Sequence, residues 1–411
     1  MEYTTRNTCR VCGSSDLTFL FSLGNQYVSD FPLPGQIPAG GKVPIDIEIC
    51  GDCSLVQARH TAPQDFLYTR HYWYRSGVTS TMRTALRDIV HCANRLVRLN
   101  PGDAVLDIGS NDGTLLRCYP KHVTKVGVEP AVNLAEEGKQ GVDHFIEEFW
   151  SQAAYHNRLD TLPKVITAIG MFYDLEDPNE FIADVSSVLH PDGLFIAQLM
   201  CLRNMLDTND VGNFAHEHLE FYSLKSLDVL LGRHGMEIID IEENSVNGRS
   251  YRLYIRHRGS ALQPFIGSNS RVSQARMAEA GLHDPEYYDS FFSRLEYNRS
   301  RVFSFIESER RLGKRFWLYG ASTKGNVILQ YLGLDSSMIE GAAERSPEKY
   351  GRVTVETGIP IVSEADARTA KPDYFVVLPY AFLDEFIRRE QEFFNLGGKF
   401  LVPIPSMEIF P

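Results

Sequence analysis

Short apolar runs alternate with longer amphipathic stretches over most of the chain, and they fall into two series. The first opens at A-V-L-D-I (104–108), continues through K-V-G-V (125–128), and adds Val165–Ile169 and Leu194–Leu199, the last introduced by the turn His190-Pro-Asp-Gly193. Runs of this length separated by helical spacing predict buried strands of a parallel, doubly wound α/β sheet. S-L-K-S-L-D-V-L-L-G-R-H-G then predicts a helix with Ser223 as N-cap and Gly235 as C-cap. The second series begins after Lys314 with R-F-W-L-Y, a glycine loop from Gly320 to Asn326, and a helix. I-E-G-A-A-E, G-I-P-I-V, D-Y-F-V-V-L-P-Y and K-F-L-V-P-I-P follow, which predicts a second, smaller Rossmann-like sheet. The charged segment Gln274–Glu309 reads as a helical link between the two.

Ahead of both lies a Gly- and Pro-rich stretch that cannot form a large core alone. It is framed by Cys9-Arg-Val-Cys12 and Cys50-Gly-Asp-Cys53. Each two-residue spacer makes a tight knuckle that turns both sulfurs to one point, and four thiolates close a tetrahedral shell around structural zinc. Coincidence or a redox pair is the alternative. Zinc binding would supply much of the order in this segment. Cys92, Cys118 and Cys201 are isolated and read as buried thiols.

The 411 residues suffice for two or three domains, expected at 1–78, 79–260 and 261–411. The net charge of −12 sets the surface as a whole against nucleic acid and anionic lipid, while leaving room for a local basic pocket. The start M-E-Y-T-T-R has no basic, apolar leader, and no apolar run reaches the length of a membrane span. A cytoplasmic monomer is expected, with neither nucleic acid nor membrane as partner.

The loop after the first strand reads Asp107-x-Gly109-x-x-x-Gly113, with Ser110, Asn111 and Asp112 inside it. It lacks the G-x-G-x-x-G phosphate cradle and suits a ligand with an amino-acid head. Glu129, ending the second strand, is placed to accept both hydroxyls of a ribose. An NAD-binding domain with a degenerate loop is the alternative. These residues resemble the class I S-adenosylmethionine (SAM)-dependent methyltransferases. The resemblance implies that Asp107, Gly109, Ser110, Asn111 and Gly113 surround the methionine moiety and that Glu129 holds the ribose. It puts Glu148 and Phe149 near the adenine, and Gln198 facing the cofactor or the substrate. The product would be S-adenosylhomocysteine (SAH).

H-E-H-L-E-F-Y-S-L (216–224) lies beyond the carboxyl end of the strand Leu194–Leu199, where open α/β sheets bind ligands. A metal clamp, a structural loop with satisfied histidines, and a proton-transfer site are all compatible with it. An imidazole near its unperturbed pKa takes a proton at physiological pH.

Cysteine knuckles, the methyltransferase core, H-E-H-L-E-F-Y-S-L, N-G-R-S-Y-R-L-Y (247–254) and Y-G-A-S-T-K-G-N (319–326) together resemble, along the whole chain, one family. It comprises the sugar C-methyltransferases acting on nucleotide-linked 4-keto-deoxysugars. The resemblance implies His218 as catalytic base, assisted by Glu217 and by a tyrosine of Tyr72-Trp-Tyr74-Arg-Ser76, with Tyr74 preferred over Tyr72 and Ser76 near the substrate. A ketone acidifies the neighbouring C–H, a base gives the enolate, and the enolate carbon takes the methyl group. The chain departs from the family pattern twice. Ala215, preceded by Phe214, stands where a tyrosine is usual, and Arg249 stands where glycine is usual. Arg249 would meet a substrate phosphate or face solvent.

In the C-terminal sheet, Gly320–Asn326 could nest a phosphate, with Ser322 and Asn326 in the loop, Lys324 adding charge and Tyr380 lining the same cleft. A duplicated scaffold is the alternative. The expected activity is C-methylation next to the ketone, at C3, of a nucleotide-diphosphate-linked keto-deoxysugar on the way to a branched-chain sugar. C5-, O- or N-methylation of another small substrate, and a zinc-dependent binding protein without activity, are the competing readings.

Overall fold

The computed structural model describes residues 2–69 and 72–411. Among these residues three larger sheets form. The N-terminal sheet contains β1 (Leu17–Tyr27), β2 (Lys42–Cys50) and β3 (Val56–Ala58), paired antiparallel. Its buried side chains, among them Phe21, Ile47 and Ile49, join the core of the rest of the molecule, which the Gly/Pro-rich segment could not build alone, and the cysteine knuckles close one end of it.

A helix, α1 (Ser80–Leu96), follows. It buries Met82, Leu86, Ile89, Val90 and Ala93 on one face and is capped by Thr79, whose hydroxyl accepts the Met82 amide at 3.2 Å. The central sheet then takes β4 (Ala104–Ile108), β5 (Thr124–Val128), β6 (His144–Ile146), β7 (Pro163–Ile169) and β8 (Leu194–Met200). These five are parallel in the order β8-β7-β4-β5-β6. Every residue of β4 and β8 is buried, because helices and loops cover both faces. The chain next makes β9 (Glu220–Phe221), α2 (Leu224–Arg233), β10 (Met236–Asn244) and β11 (Ser250–His257). β10 and β11 extend the central sheet antiparallel beyond β8, so the parallel expectation holds for the core strands and not for this edge.

β9 does not join the central sheet. It pairs with β3 of the N-terminal sheet, which pins the preceding H-E-H loop between the two sheets. Ser223 caps α2 in a reciprocal box with Ser226, and Gly235 follows the helix with φ +69°, the left-handed conformation that glycine tolerates. Gly113 is followed by a short 3₁₀ turn, Leu116–Cys118, and Cys118 is half-buried rather than buried.

The link is two helices, Ser268–Ala278 and Pro285–Arg311. The C-terminal sheet contains β12 (Phe316–Tyr319), β13 (Ala342–Glu344), β14 (Ile361–Ser363), β15 (Tyr374–Val377), β16 (Lys399–Val402) and β17 (Glu408–Phe410). Their order is β14-β13-β12-β15-β16-β17, parallel except for the last pair. The helix after β12, Thr323–Leu332, docks on the N-terminal sheet: Gln330 and the Tyr27 backbone exchange bonds of 2.8 and 3.2 Å. No helix among the described residues is long and apolar enough to cross a membrane.

Candidate active site and zinc centre

The four knuckle sulfurs converge. Cys9–Cys53 and Cys12–Cys50 are each 3.4 Å apart, and all four lie within 4.8 Å of one another. A tetrahedron with Zn–S bonds of about 2.3 Å has edges of about 3.8 Å, so a zinc ion fits with small adjustments. Four thiolates leave no open position, and the centre is structural. Asp88, Cys92 and Glu242 also cluster, but the Arg252 guanidinium already fills that space, 2.8 Å from Asp88 and 3.3 Å from Glu242. The two histidines of H-E-H join neither group.

At the carboxyl ends of β4, β5, β7 and β8 lies a cleft of about 380 Å³, lined by Asp107, Gly109, Ser110, Asn111, Glu129 and Gln198 among others. Gly109 has φ +70°, and a Cβ there would meet Met171 Cγ at 2.8 Å. The Glu129 carboxylate is anchored by the amides of Asn111 and Ala131, both at 2.9 Å. That leaves lone pairs for a diol. Burial raises its pKa, opposed by those two amides. Asp107 is pushed up to about 7 by burial while accepting the Thr167 hydroxyl at 2.6 Å. Ser110 lines the cleft, while its Oγ is buried without a hydrogen-bond partner and packs against Gly127. Gln198 is oriented by Arg252 and Asn244, each at 3.2 Å from its Oε1.

Two expectations for this cleft need correcting. Gly113 does not line it; its φ of +75° serves a turn whose Cβ would strike Gly138 O at 2.8 Å. Glu148 points to solvent, and the aromatic wall is Phe149 with Trp150. Asn111 lines the cleft, and its side chain also reaches the tyrosine segment, accepting the Ser76 amide at 2.9 Å and donating to Tyr74 O at 3.2 Å. Asp112 takes the Gly77 amide at 2.6 Å. The polar residues of the glycine loop thus fasten Tyr74–Gly77 over the cleft. Ser76 itself lines the cofactor cleft and not the neighbouring chamber.

That chamber, about 280 Å³, shares Tyr72, Tyr74, Gly170, Tyr173 and Asp174 with the cleft. Its far side holds His218, Glu217, Ala215 and, from the C-terminal domain, Lys324. His218 Nδ1 lies 2.7 Å from the carbonyl of Asn213. A carbonyl only accepts, so Nδ1 carries the proton and Nε2 keeps its lone pair. Burial and then the Lys324 charge lower the His218 pKa to about 3, so the imidazole is neutral. The Tyr173 ring stands edge-on to it with centroids 4.8 Å apart. The Tyr173 carbonyl accepts the amides of Leu219 (2.8 Å) and Glu220 (3.1 Å), which locks the loop after β7 to the H-E-H loop. His216 faces away. Its Nε2 bonds Val43 O at 2.9 Å, and burial lowers its pKa to about 4. Burial raises the pKa of both Glu217 and Asp174, and pushes Tyr74 up to about 12.

The remaining substrate residues scatter. Arg249 turns outward, 3.7 Å from Glu243, and lines neither cavity. Its φ of +91° is a glycine-like conformation held by a non-glycine residue. Ser322 caps the helix Thr323–Leu332 through the Gly325 amide, and Asn326 bonds Ser29 Oγ and Asp30 O. Tyr380 packs its hydroxyl against the Gly248 turn beside Asp210, outside the chamber. The expected phosphate nest is filled from within, because Glu344 takes the Ala321 amide at 2.9 Å.

Residues 9–68 match the family model "Putative zinc binding domain", 78–241 "Methyltransferase domain", and 245–405 "C-methyltransferase C-terminal domain". The C-methyltransferase NovU of Streptomyces niveus is 29% identical over 410 residues, covering 98% of this chain and 96% of NovU. The chain is a SAM-dependent C-methyltransferase. Solved structures overlap it more narrowly. Magnesium protoporphyrin IX methyltransferase of Synechocystis PCC 6803 covers 42% of this C-methyltransferase and 79% of itself, at 15% identity and a TM-score of 0.33. The plantazolicin methyltransferase BpumL covers 43% and 84%, at 14% identity and 0.34.

Sequence reasoning missed Gly170, Tyr173 and Asp174 of the C-methyltransferase, which form the wall between cleft and chamber. Their signal was available: G-M-F-Y-D follows β7 directly, at the strand end where such sheets place ligands. The sequence alone places Lys324 as added charge at a phosphate nest, since it does not reveal which way the helix docks. Of the two departures from the family pattern, Ala215 lines the chamber. Phe214 is buried against Phe21 and Phe221 and does not take the place of a tyrosine there.

Proposed function

We propose that this C-methyltransferase methylates the carbon next to the ketone, at C3, of a nucleotide-diphosphate-linked 4-keto-deoxysugar, through an enolate. The reading rests on one observation: a neutral imidazole with a free Nε2 lies in a chamber that shares its wall with the cofactor cleft. SAM, when bound, supplies an electrophilic methyl group to the carbanion and leaves as SAH. His218 Nε2 takes the proton from carbon. The Asn213 carbonyl holds the imidazole in the required tautomer and is favoured further as the ring becomes positive. Glu217, raised by burial, accepts the proton onward from His218. Tyr74, or Tyr72 behind it, donates to the ketone oxygen; both hydroxyls are neutral because burial lifts their pKa.

The division 1–78, 79–260 and 261–411 then assigns the first and last parts to covering the substrate, and the enzyme acts as a cytoplasmic monomer. The test is incubation with ¹³C-methyl SAM and a panel of 4-ketosugar nucleotides, with NMR of the products. A ¹³C methyl bonded to C3 of the sugar ring supports the reading. A methyl on oxygen or nitrogen, or at C5, contradicts it.

A further inference from the structure

We infer that Lys324, delivered by the C-terminal domain, is the cation that meets the ketone oxygen of the substrate as His218 removes the adjacent proton. The inference deepens the reading of His218 as base and depends on it. Three observations carry it.

First, Lys324 is held in the chamber by its helix. Asn326 Nδ2 donates to Ser29 Oγ (2.9 Å) and Asp30 O (3.1 Å), and Ser29 Oγ donates to Thr323 O at 3.2 Å. With the Gln330–Tyr27 exchange, these bonds fix the first turn of Thr323–Leu332 against the N-terminal sheet, so the lysine shares the chamber with His218 and Glu217.

Second, no ion pair or hydrogen bond among the described residues consumes its ammonium group. Asp210, Asp174 and Glu217 surround it at longer range, and burial lowers its pKa against their pull. A half-buried cation with no close counter-ion is costly unless a ligand completes it.

Third, the surroundings suit an oxygen that becomes charged better than a phosphate. The glycine loop that would cradle a phosphate already gives amides to Glu344 and Ser322. Among the described residues lining the chamber Lys324 is the one lysine or arginine, a single charge that matches one developing oxyanion better than a diphosphate, and a ketone is neutral on arrival. When the C–H bond breaks, its electron pair becomes the C=C bond, the carbonyl π pair moves onto oxygen, and the proton goes to His218 Nε2. Lys324 therefore gains an ion pair only as the enolate forms, which accelerates the step instead of tightening binding.

The experiment uses Lys324→Met, with Lys324→Gln as a second neutral variant and Lys324→Arg as the conservative one. The substrate is the ketosugar nucleotide that the wild-type enzyme methylates, and the probe for phosphate binding is the corresponding nucleoside diphosphate. SAM binding confirms folding. The neutral variants should lose roughly 10²–10³-fold in kcat, the usual effect of deleting one donor to an oxyanion. KM and the nucleoside diphosphate Kd should stay within about threefold, while Lys324→Arg recovers part of the rate. A kcat near wild type, or a large rise in nucleoside diphosphate Kd with kcat retained, would overturn the inference. If the wild-type enzyme methylates no ketosugar nucleotide, the substrate reading itself fails, and this role with it.

Discussion

Acidification should expose how the two histidines of H-E-H are held. In the folded protein burial lowers His216 to about 4, and burial with the Lys324 charge lowers His218 to about 3. In the unfolded chain both titrate near the ordinary value of about 6.5. The folded state therefore binds fewer protons, and the stability these groups contribute is present above about pH 6.5 and lost as pH falls below it. Moving from pH 7 to pH 5 takes each histidine about 1.5 units below its unfolded value, at about 1.4 kcal/mol per unit, or about 2 kcal/mol each. Glu217 and Asp174, raised by burial, act in the opposite direction. A wild-type curve alone thus mixes both signs, and the assay is a difference. His216→Gln can still donate to Val43 O but does not titrate. Its stability loss between pH 7 and 5, from chemical denaturation, should be about 2 kcal/mol smaller than that of the wild type. In ¹⁵N-histidine NMR, His218 should remain neutral with its proton on Nδ1 down to pH 5. A His218 resonance titrating near 6.5, or equal pH dependence in wild type and His216→Gln, would refute the reasoning.

Other consequences can be measured independently. Glu129→Gln should weaken SAM binding about 10–100-fold by calorimetry, because an amide replaces a carboxylate acceptor that is worth about 1.5–3 kcal/mol per charge-assisted bond. Gly109→Ala should cost about 1–2 kcal/mol of stability for its left-handed backbone and should also impair SAM binding, since the new methyl displaces Met171 into the cleft. Chelation of zinc should weaken SAM binding as well as loosen the N-terminal sheet. Arg10, between Cys9 and Cys12, bonds Thr61 at 2.8 Å and pairs with Glu176 of the cleft wall at 3.3 Å. Unchanged SAM affinity in zinc-free protein would separate the knuckle from the cleft.

The parts legible in the sequence were those encoded locally. β4 announces itself as an apolar run ending in Gly109, α2 by Ser223 and its apolar spacing, and the zinc knuckles by two C-x-x-C units. All are short-range patterns in which neighbours in sequence are neighbours in space. What escaped was set by docking between distant segments. Nothing near Asn111 says that its amide will hold the Tyr74 backbone, and nothing near Lys324 says that its helix will lean on Tyr27. Glu148 is exposed while Phe149 and Trp150 line the cleft, and nothing near the end of β6 says which of these side chains the folded loop turns inward. Arg249 carries a backbone angle that only the folded turn between β10 and β11 imposes.

The central claim is that His218 takes a proton from carbon, and its most direct measurement is solvent exchange. The ketosugar nucleotide is incubated with enzyme in deuterated water without SAM and followed by NMR at the carbon beside the ketone. Wild-type enzyme should wash deuterium into that position, and His218→Ala, with SAM binding intact, should not. Exchange by His218→Ala at the wild-type rate would contradict the account.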